Sequence, residues 1–488
     1  MMYATDLIKQ LPDYTCEAEI ANIEIKQMEM DHRLLEEDSM FVCIAGYTVD
    51  GHQFAAAAVE NGARIIIAEK PVAVDVPVVM VPDSKRALAL LANVFYRHPS
   101  RQLQVIGVTG TNGKTSVTHI INEIHRHVQK RTAMIGTIEM VIDEEVFPVK
   151  NTTPDALFLQ KNLAAMVDKD IETATMEISS HALDLGRVHG LDVDIAVFTN
   201  LSQDHLDYHE TMEKYLFAKS LLFAQLGNSL ADDRRKYAII NNDDGHADFL
   251  KRATAQPLIT YGVKKEATFC ACNVELKASG VSFIMKTPKG DLLIDSPLMG
   301  MFSVYNLLAA AAAAYASGID LESIQTVLNQ TSGVKGRFQP VEHAGRFGVI
   351  VDYAHTSDSL ENVLTTIKRF CEGNIYVIVG CGGDRDRAKR PLMAQVACRY
   401  ADQAIFTSDN PRSEAPEAII DDMVDDLPFV NYQIVVDREQ AIKQAIEQAE
   451  EHDVVLIAGK GHETYQIVGE EVRHFDDEAI AKKYLPQR

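Results

Sequence analysis

The stretch Leu103-Gln-Val-Ile-Gly-Val-Thr-Gly-Thr-Asn-Gly-Lys-Thr-Ser116 runs from an apolar, β-branched segment through closely spaced glycines, and a helical pattern follows from Val117 to about Val128. Val105, Ile106 and Val108 read as a buried parallel strand. Gly107, Gly110 and Gly113 punctuate the stretch, with Thr111 and Asn112 between the last two and Lys114, Thr115 and Ser116 after them. Strand, glycine loop and helix start together make an anion site, because loop N–H groups and the helix N-terminus point at phosphate oxygens. In that geometry Lys114 reaches the β- and γ-phosphates and the Thr115 hydroxyl ligates Mg2+. The spacing G-x-x-x-x-G-K-[ST] is not kept, since Val108 stands at the first glycine position, so the loop is a variant of that pattern. The plainer alternative is a tight strand-to-helix turn with a solvated lysine.

Outward from the loop, strands and helices alternate. Ahead of it, residues 40–45, 64–68 and 78–81 read as strands, and 53–60 and 84–96 as helices. A polar, proline-containing stretch, Arg97-His-Pro-Ser-Arg101, closes this small unit. Behind the loop, residues 173–178, 195–199 and 237–240 read as buried strands. Each runs into a polar cluster: Glu177-Ile-Ser-Ser-His181, Asn200-Leu-Ser-Gln-Asp-His205 and Asn241-Asn-Asp-Asp244. Residues 268–297 alternate like antiparallel hairpins, and 302–316 and 321–331 read as helices. Further strands are expected at 347–352, 375–379, 404–407, 433–436 and 454–458, with helices between them. The expectation is an α/β protein of three domains. These are a small N-terminal α/β domain (1–100), a central P-loop-type parallel-sheet domain (101–335) and a C-terminal Rossmann-like α/β domain (336–488).

Composition narrows the function. At 488 residues the chain exceeds one core. It is 47% hydrophobic and 24% charged, as soluble globular proteins are. A net charge of −23 argues against a nucleic-acid or anionic-membrane partner, both of which need a basic face. Seven scattered cysteines make no disulfide framework and suit a reducing cytoplasm. With no apolar run of about 18 residues, no membrane insertion is expected.

Ligands of open parallel sheets bind outside the carboxyl ends of the strands, so polar clusters at those ends read as one site. Glu177 is a candidate Mg2+ ligand, since Mg2+ takes one or two carboxylates with phosphate oxygens and water. Asp204 and His205 read either as holders of a second metal or as capping residues. Further on, Arg412 in Asp409-Asn-Pro-Arg412 presents a planar fork matched to a carboxylate, while Asp409 and Glu463 suit an ammonium. Together they describe an amino-acid pocket; a surface turn with an exposed salt bridge is the alternative. Lys219 lies in the apolar helical stretch Tyr215-Leu-Phe-Ala-Lys-Ser-Leu-Leu-Phe223 and is either snorkelling or desolvated and reactive. The pattern alone favours snorkelling.

Several stretches in this order resemble the Mur ligases, the ATP-dependent amide-forming enzymes of peptidoglycan assembly. They are Thr109-Gly-Thr-Asn-Gly-Lys-Thr115, Asn151-Thr-Thr-Pro154, Met176-Glu-Ile-Ser-Ser-His-Ala182, Asn200-Leu-Ser-Gln-Asp-His-Leu-Asp-Tyr-His209, Gly336-Arg-Phe338, Asp352-Tyr-Ala-His355, Gly380-Cys-Gly-Gly-Asp-Arg-Asp386 and Ala458-Gly-Lys-Gly-His-Glu463. The resemblance covers nearly the whole chain. It implies that a substrate carboxylate attacks the γ-phosphate of ATP and that an amino-acid amine then displaces phosphate from the acyl phosphate. It assigns Lys114, Glu177, His205 and a carbamylated Lys219 to catalysis, and Thr115, Glu177, His205 and that carbamate to Mg2+. It assigns Gly110, Thr111, Asn112, Gly113, Lys114, Thr115, Ser116, Asn306, Arg337, Asp352 and His355 to ATP. UDP-N-acetylmuramoyl-L-alanyl-D-glutamate would be held by His32, Asn151, Thr152, Thr153, Ser179 and Arg187. The amino acid would be held by Arg385, Asp409, Asn410, Pro411, Arg412, Gly459 and Glu463. Arg412 favours meso-2,6-diaminopimelate, whose second carboxylate it can pair, over lysine, which would leave the arginine buried and unpaired. The implied enzyme is a cytoplasmic monomer.

The chain departs from the family pattern at Asp31-His-Arg33, where Asp-Ser-Arg is usual, and at Ser357, where relatives commonly have proline. Three other readings are a lysine-adding ligase of the same family, a folylpolyglutamate synthetase, and a nucleotide-dependent switch without ligase activity. Arg412 speaks against the first, and the first domain with Asp409–Arg412 against the second. Converging polar strand ends, more than nucleotide sensing needs, speak against the third.

Overall fold

The computed structural model describes residues 2–20, 22–46, 49–149, 151–227, 234–277 and 280–486. The chain forms two compact units. The first comprises Met1–Gly107, Lys130–Ala196 and Leu221–Lys236; the second comprises Val108–Gln129, Val197–Ser220 and Tyr237–Arg488.

In the first unit, strands Gln27–Glu29, Ser39–Val42, Ala63–Ala68 and Val78–Met80 pair in parallel in that order. Side chains alternate across a strand, so Met40, Val42, Ile65 and Ile67 pack on one face with Leu88 and Leu91 of helix Ser84–Phe95. Phe41, Cys43 and Ile66 pack on the other with Ala55 and Ala58 of helix Ala55–Glu60. A sheet covered on both faces explains why these strands read as continuous apolar runs. The same unit contains strand Thr132–Ile135, parallel to Thr173–Glu177.

In the second unit, strands Tyr237–Asn241 and Leu258–Gly262 are parallel, and Phe269–Lys277, Gly280–Thr287 and Gly290–Ser296 continue as antiparallel hairpins. Helix Met301–Ala316 is buried along most of its length; its run of alanines lets neighbours approach closely. The C-terminal sheet has the order Gln339–Pro340, Gly348–Asp352, Val454–Ala458, Ile375–Val379, Gln403–Phe406, Tyr432–Ile434, and is parallel after its first strand. Two apolar layers cover it, one built on Val377, Val379 and Leu456, the other on Ile378, Val455 and Ile457. Asp352, Gly380, Thr407 and Gly459 therefore stand at one carboxyl edge, where such sheets bind ligands.

The last helix, Asp477–Tyr484, is tied to this edge by a fully buried ion pair. Arg438 donates through Nε and Nη2 to both oxygens of Asp477 (2.8 and 2.7 Å), and Nη2 also donates to Ala458 O (2.9 Å). Asp477→Ala leaves a buried guanidinium uncompensated and is expected to cost about 3–5 kcal/mol of unfolding free energy. Urea denaturation measures it, and a loss below about 1 kcal/mol would contradict the pairing.

Candidate active site

The phosphate loop is fixed by close packing. Strand Gln104–Thr109 leads into it, and helix Lys114–His127 starts directly after Gly113. Gly110 and Gly113 take φ of 149° and 87°. A Cβ at Gly110 would stand 1.8 Å from Thr199 Oγ1, and one at Gly113 would stand 2.5 Å from Asn306 Oδ1. Only glycine fits at either position. Asn200 clamps the loop: its carbonyl accepts from Thr111 N (2.8 Å), its Oδ1 accepts from Asn112 N (2.9 Å) and its Nδ2 donates to Asn112 O (3.0 Å).

Two lysines converge on this loop. Lys114 Nζ donates to Gly110 O (2.9 Å) and Thr111 O (2.8 Å), and Lys219 Nζ donates to the same Gly110 O (2.8 Å). Lys219, on helix Met212–Ala224, is 1% exposed and lies over the Tyr215 ring. Burial, with repulsion from Lys114 added, holds its pKa well below the usual lysine range. The snorkelling expectation is therefore wrong: the Lys219 amine points inward, and apolar periodicity alone cannot report that direction.

Beside the loop lies a cavity of about 920 Å³, within the range of ligand sites. Asn112, Gly113, Thr115, Ser116, Asn306, Arg337, Asp352 and His355 all line it; Gly110, Thr111 and Lys114 are not among its walls. Arg337 Nη2 donates to Thr115 Oγ1 (3.1 Å), and its guanidinium sits 4.3 Å from the Tyr353 ring centre. Asp352 accepts from Phe338 N (2.6 Å) and Ala354 N (2.7 Å); burial pushes its pKa up, against the pull of Arg337. Asp243, whose Oδ2 accepts from Tyr305 Oη (2.8 Å), forms another part of the wall.

Asp204 is 4% exposed and gathers basic side chains from its neighbour His205 and from distant parts of the sequence. His205 Nε2 lies 3.5 Å from its carboxylate, His355 Nε2 3.6 Å and Lys389 Nζ 3.8 Å. Burial alone would raise its pKa, but the His355 bond and the charges of His205 and Lys389 outweigh burial and hold it well below the carboxylate range.

At the carboxyl edge of the C-terminal sheet, Asn410 Nδ2 donates to Glu463 Oε2 (2.9 Å) and Asn410 N to Asp409 Oδ1 (2.6 Å). Gly459, at φ 109°, runs so close to Asp409 that a Cβ there would stand 3.0 Å from Oδ2. Arg412 Nη1 donates to Gly383 O (2.8 Å). Burial, then repulsion from Arg385, lowers the Arg412 pKa, with Asp409 and Glu463 opposing. Gly383 packs against Pro411 O, so the two loops bearing Arg385 and Arg412 are locked together. The result is a part-buried Arg412 near two carboxylates, with the exposed Arg385 beside it.

In the first unit, Glu177 is 1% exposed at the end of its strand. It accepts from Thr137 N (2.8 Å) and Thr137 Oγ1 (3.0 Å). Thr137 Oγ1 contacts Thr152 Oγ1 (3.1 Å). Thr153 Oγ1 donates to Glu177 O (2.8 Å) and accepts from Ser179 N (2.9 Å), and Arg187 Nη1 donates to Thr153 O (2.9 Å). Glu177, Thr152, Thr153, Ser179 and Arg187 thus form one cluster, with Asn151 exposed beside Thr152. His32 stacks on Phe54 (4.4 Å, 3° between planes), while Asp31 turns to Arg33 and is lowered to about 2 by that bond.

Comparison with known proteins decides the family. The Mur ligase middle domain matches residues 108–314, the Mur ligase glutamate ligase domain residues 336–461, and the Mur ligase family catalytic domain residues 24–96. The chain is 54% identical over 486 residues to the UDP-N-acetylmuramoyl-L-alanyl-D-glutamate–2,6-diaminopimelate ligase of Oceanobacillus iheyensis, covering 99% of both chains. It is 54% identical over 467 residues to the same-named enzyme of Bacillus cereus, covering 96% and 95%. A solved structure of a UDP-N-acetylmuramoyl-L-alanyl-D-glutamate–2,6-diaminopimelate ligase is 35% identical with a TM-score of 0.69, covering 98% of each chain. The chain belongs to the Mur ligase family.

In this Mur ligase the sequence pattern does not single out Lys389, Lys460, Tyr353 or Asp243. Lys460 stands between glycines in the motif Ala458–Glu463, and only its burial separates it from a solvated lysine. Ser357 takes the proline's place with little consequence, because Thr356 and Ser359 form a reciprocal capping box around it. Among the described residues, no group of three or more His, Cys, Asp or Glu is spaced to hold a metal ion, and no helix is long and apolar enough to cross a membrane.

The buried Lys219 amine makes stability depend on pH with a definite sign. Its pKa is depressed in the folded chain and about 10.4 in the unfolded chain, so between those values the unfolded chain binds the extra proton and stability rises with pH. In CO2-free buffer, the melting temperature of the wild type should rise between pH 7 and pH 9 more than that of Lys219→Met. The variant should be the more stable of the two at pH 7. Equal slopes would contradict a neutral amine.

Proposed function

We propose that the chain joins meso-2,6-diaminopimelate to UDP-N-acetylmuramoyl-L-alanyl-D-glutamate with hydrolysis of ATP, a cytoplasmic step of peptidoglycan precursor synthesis. The placement of Arg412, with Arg385 beside it, near Asp409 and Glu463 at one strand edge carries the reading. A ligand suited to both must carry a carboxylate and an ammonium at the end that does not react. Diaminopimelate does; lysine lacks the carboxylate and would leave the part-buried Arg412 guanidinium without an anion. The names of the relatives at 54% identity support the same substrate pair.

In the reaction, the D-glutamyl carboxylate attacks the γ-phosphorus of ATP, and ADP leaves. The diaminopimelate amine then attacks the acyl phosphate, expels phosphate and forms the amide. Catalysis here is mostly positioning and charge neutralisation. Loop residues Gly110 to Ser116 cradle the phosphates, with Lys114 swinging from the loop carbonyls to the β/γ oxygens. Asn306, Arg337, Asp352 and His355 hold the rest of the nucleotide in the cavity that they line. Thr152, Thr153, Ser179 and Arg187, with Asn151, grip the muramoyl dipeptide, and His32, stacked on Phe54, offers its ring edge to the uridine part. Asn410, Pro411 and Gly459 shape the amino-acid pocket.

The donor set fits Mg2+. This ion takes few protein oxygens and completes its shell with phosphate and water, so it needs no dense cluster of protein ligands. Thr115, His205 and Lys219 would hold it; burial lowers the Lys219 pKa and so favours the unprotonated amine, the form that adds CO2 to become a carbamate oxygen donor. Bound Mg2+ would neutralise charge on the transferring phosphoryl group.

Phosphate release tests the reading: with MgATP and the UDP-muramoyl dipeptide, the enzyme should turn over meso-diaminopimelate and not L-lysine. Equal turnover of lysine would overturn it in favour of the lysine-adding reaction. Arg412→Ala should raise the KM for diaminopimelate by about tenfold or more, as loss of a charge-assisted bond does. The KM for ATP should stay in place, and an unchanged diaminopimelate KM would contradict the role of Arg412.

A further inference from the structure

Beneath the amino-acid pocket lies a lysine with no part in the assignments above. Lys460 is fully buried, and its Nζ donates to Asn410 Oδ1 (3.1 Å) and Glu463 Oε2 (3.1 Å). The backbone leaves it little choice of direction. Gly459 and Gly461 on either side take φ of 109° and 53°. A Cβ at Gly459 would stand 3.0 Å from Asp409 Oδ2, and one at Gly461 would stand 2.6 Å from Gly336 O. The lysine between them is turned inward, with its Nζ 5.5 Å from the Tyr465 ring centre.

This placement settles an ambiguity in Asn410. A primary amide can present either its oxygen or its nitrogen to a neighbour. Here Oδ1 accepts from both Lys460 Nζ and Ile467 N (3.0 Å), so Nδ2 must face Glu463 Oε2. Glu463 in turn receives Asn410 Nδ2 and Lys460 Nζ on one oxygen and hydrogen-bonds Tyr465. A buried ammonium thus fixes one amide orientation and one carboxylate rotamer at the same time. Rotating Glu463 away would leave Lys460 buried without its carboxylate, which is costly.

We infer that Lys460 is a positioning residue that, directly and through Asn410, presets Glu463 to receive the amine of the incoming amino acid that does not react. The inference rests on the reading of the pocket given above. The attacking amine must be unprotonated, because an ammonium has no lone pair. An amine held between Asp409 and Glu463 stays protonated, so it is the distal one, next to the carboxylate that faces Arg412. Lys460 acts on that end of the substrate only, and touches neither the nucleotide cavity nor the attacking group.

The test compares two amino acids in phosphate-release assays with the full enzyme, MgATP and the UDP-muramoyl dipeptide. One is meso-diaminopimelate; the other is 2-aminopimelate, which keeps the reacting amine and both carboxylates but lacks the distal amine. Lys460→Met should raise the KM for diaminopimelate by about tenfold or more, the scale of a lost hydrogen bond to a charged group. The KM values for 2-aminopimelate, ATP and the UDP-muramoyl dipeptide should stay within about twofold of wild type. Lys460→Gln, which retains a donor to one partner, should recover part of the diaminopimelate affinity, and it serves for the same comparison if the methionine variant does not fold. An equal rise for both amino acids marks a merely structural lysine and overturns the inference, as does no rise for either. If the wild type itself does not turn over diaminopimelate, it is the substrate reading that fails.

Discussion

Two lysine amines converge on the carbonyl oxygen of Gly110, and the active site is built around the consequence. Two ammonium groups cannot share one buried acceptor without strong repulsion. Lys114 is part-buried at the loop and can leave it, whereas Lys219 is enclosed over the Tyr215 ring and cannot. Burial first, and the charge of Lys114 second, therefore hold the Lys219 pKa well below the usual lysine range. A neutral amine under a phosphate loop is a poor anion holder and a good nucleophile towards CO2. That difference separates this loop from an ordinary nucleotide site.

The surrounding contacts serve to keep that geometry in place. Gly110 and Gly113 allow Thr199 and Asn306 to close on the loop, and Asn200 clamps it from the next strand end. Asp204, held ionised by His205, His355 and Lys389, draws side chains from widely separated sequence positions towards the same place. Arg337 reaches Thr115 and covers Tyr353, and all three line the cavity beside the loop. At the carboxyl edge of the C-terminal sheet, buried basic side chains do comparable work: Lys460 hydrogen-bonds Glu463, and Arg438 anchors the end of the strand that leads to it.

Strands buried on both faces were legible because their hydrophobic runs are uninterrupted; those at Ile375–Val379 and Val454–Ala458 coincide with the sequence reading. Helix Lys114–His127 begins a turn before the apolar pattern suggests, since its first turn is polar and faces the loop. The hairpin Tyr465–Val468 with Glu471–His474 went unseen because it is short and largely exposed. Asn112 through Ser116, Asn306, Arg337, Asp352 and His355 were grouped by family motifs, and most of them share one cavity wall. Lys219 and Lys460 show the limit of sequence: a lysine among apolar residues or glycines reads as solvated, and only tertiary packing turns it inward.

The central claim is that Lys219 is a neutral, buried amine poised to become a carbamate. Carbon-13 NMR of the enzyme equilibrated with labelled bicarbonate tests it most directly. The account predicts one protein-bound carbamate resonance that is absent from Lys219→Met and that disappears when the sample is acidified. A spectrum with no such resonance, or one that persists in the variant, would contradict it.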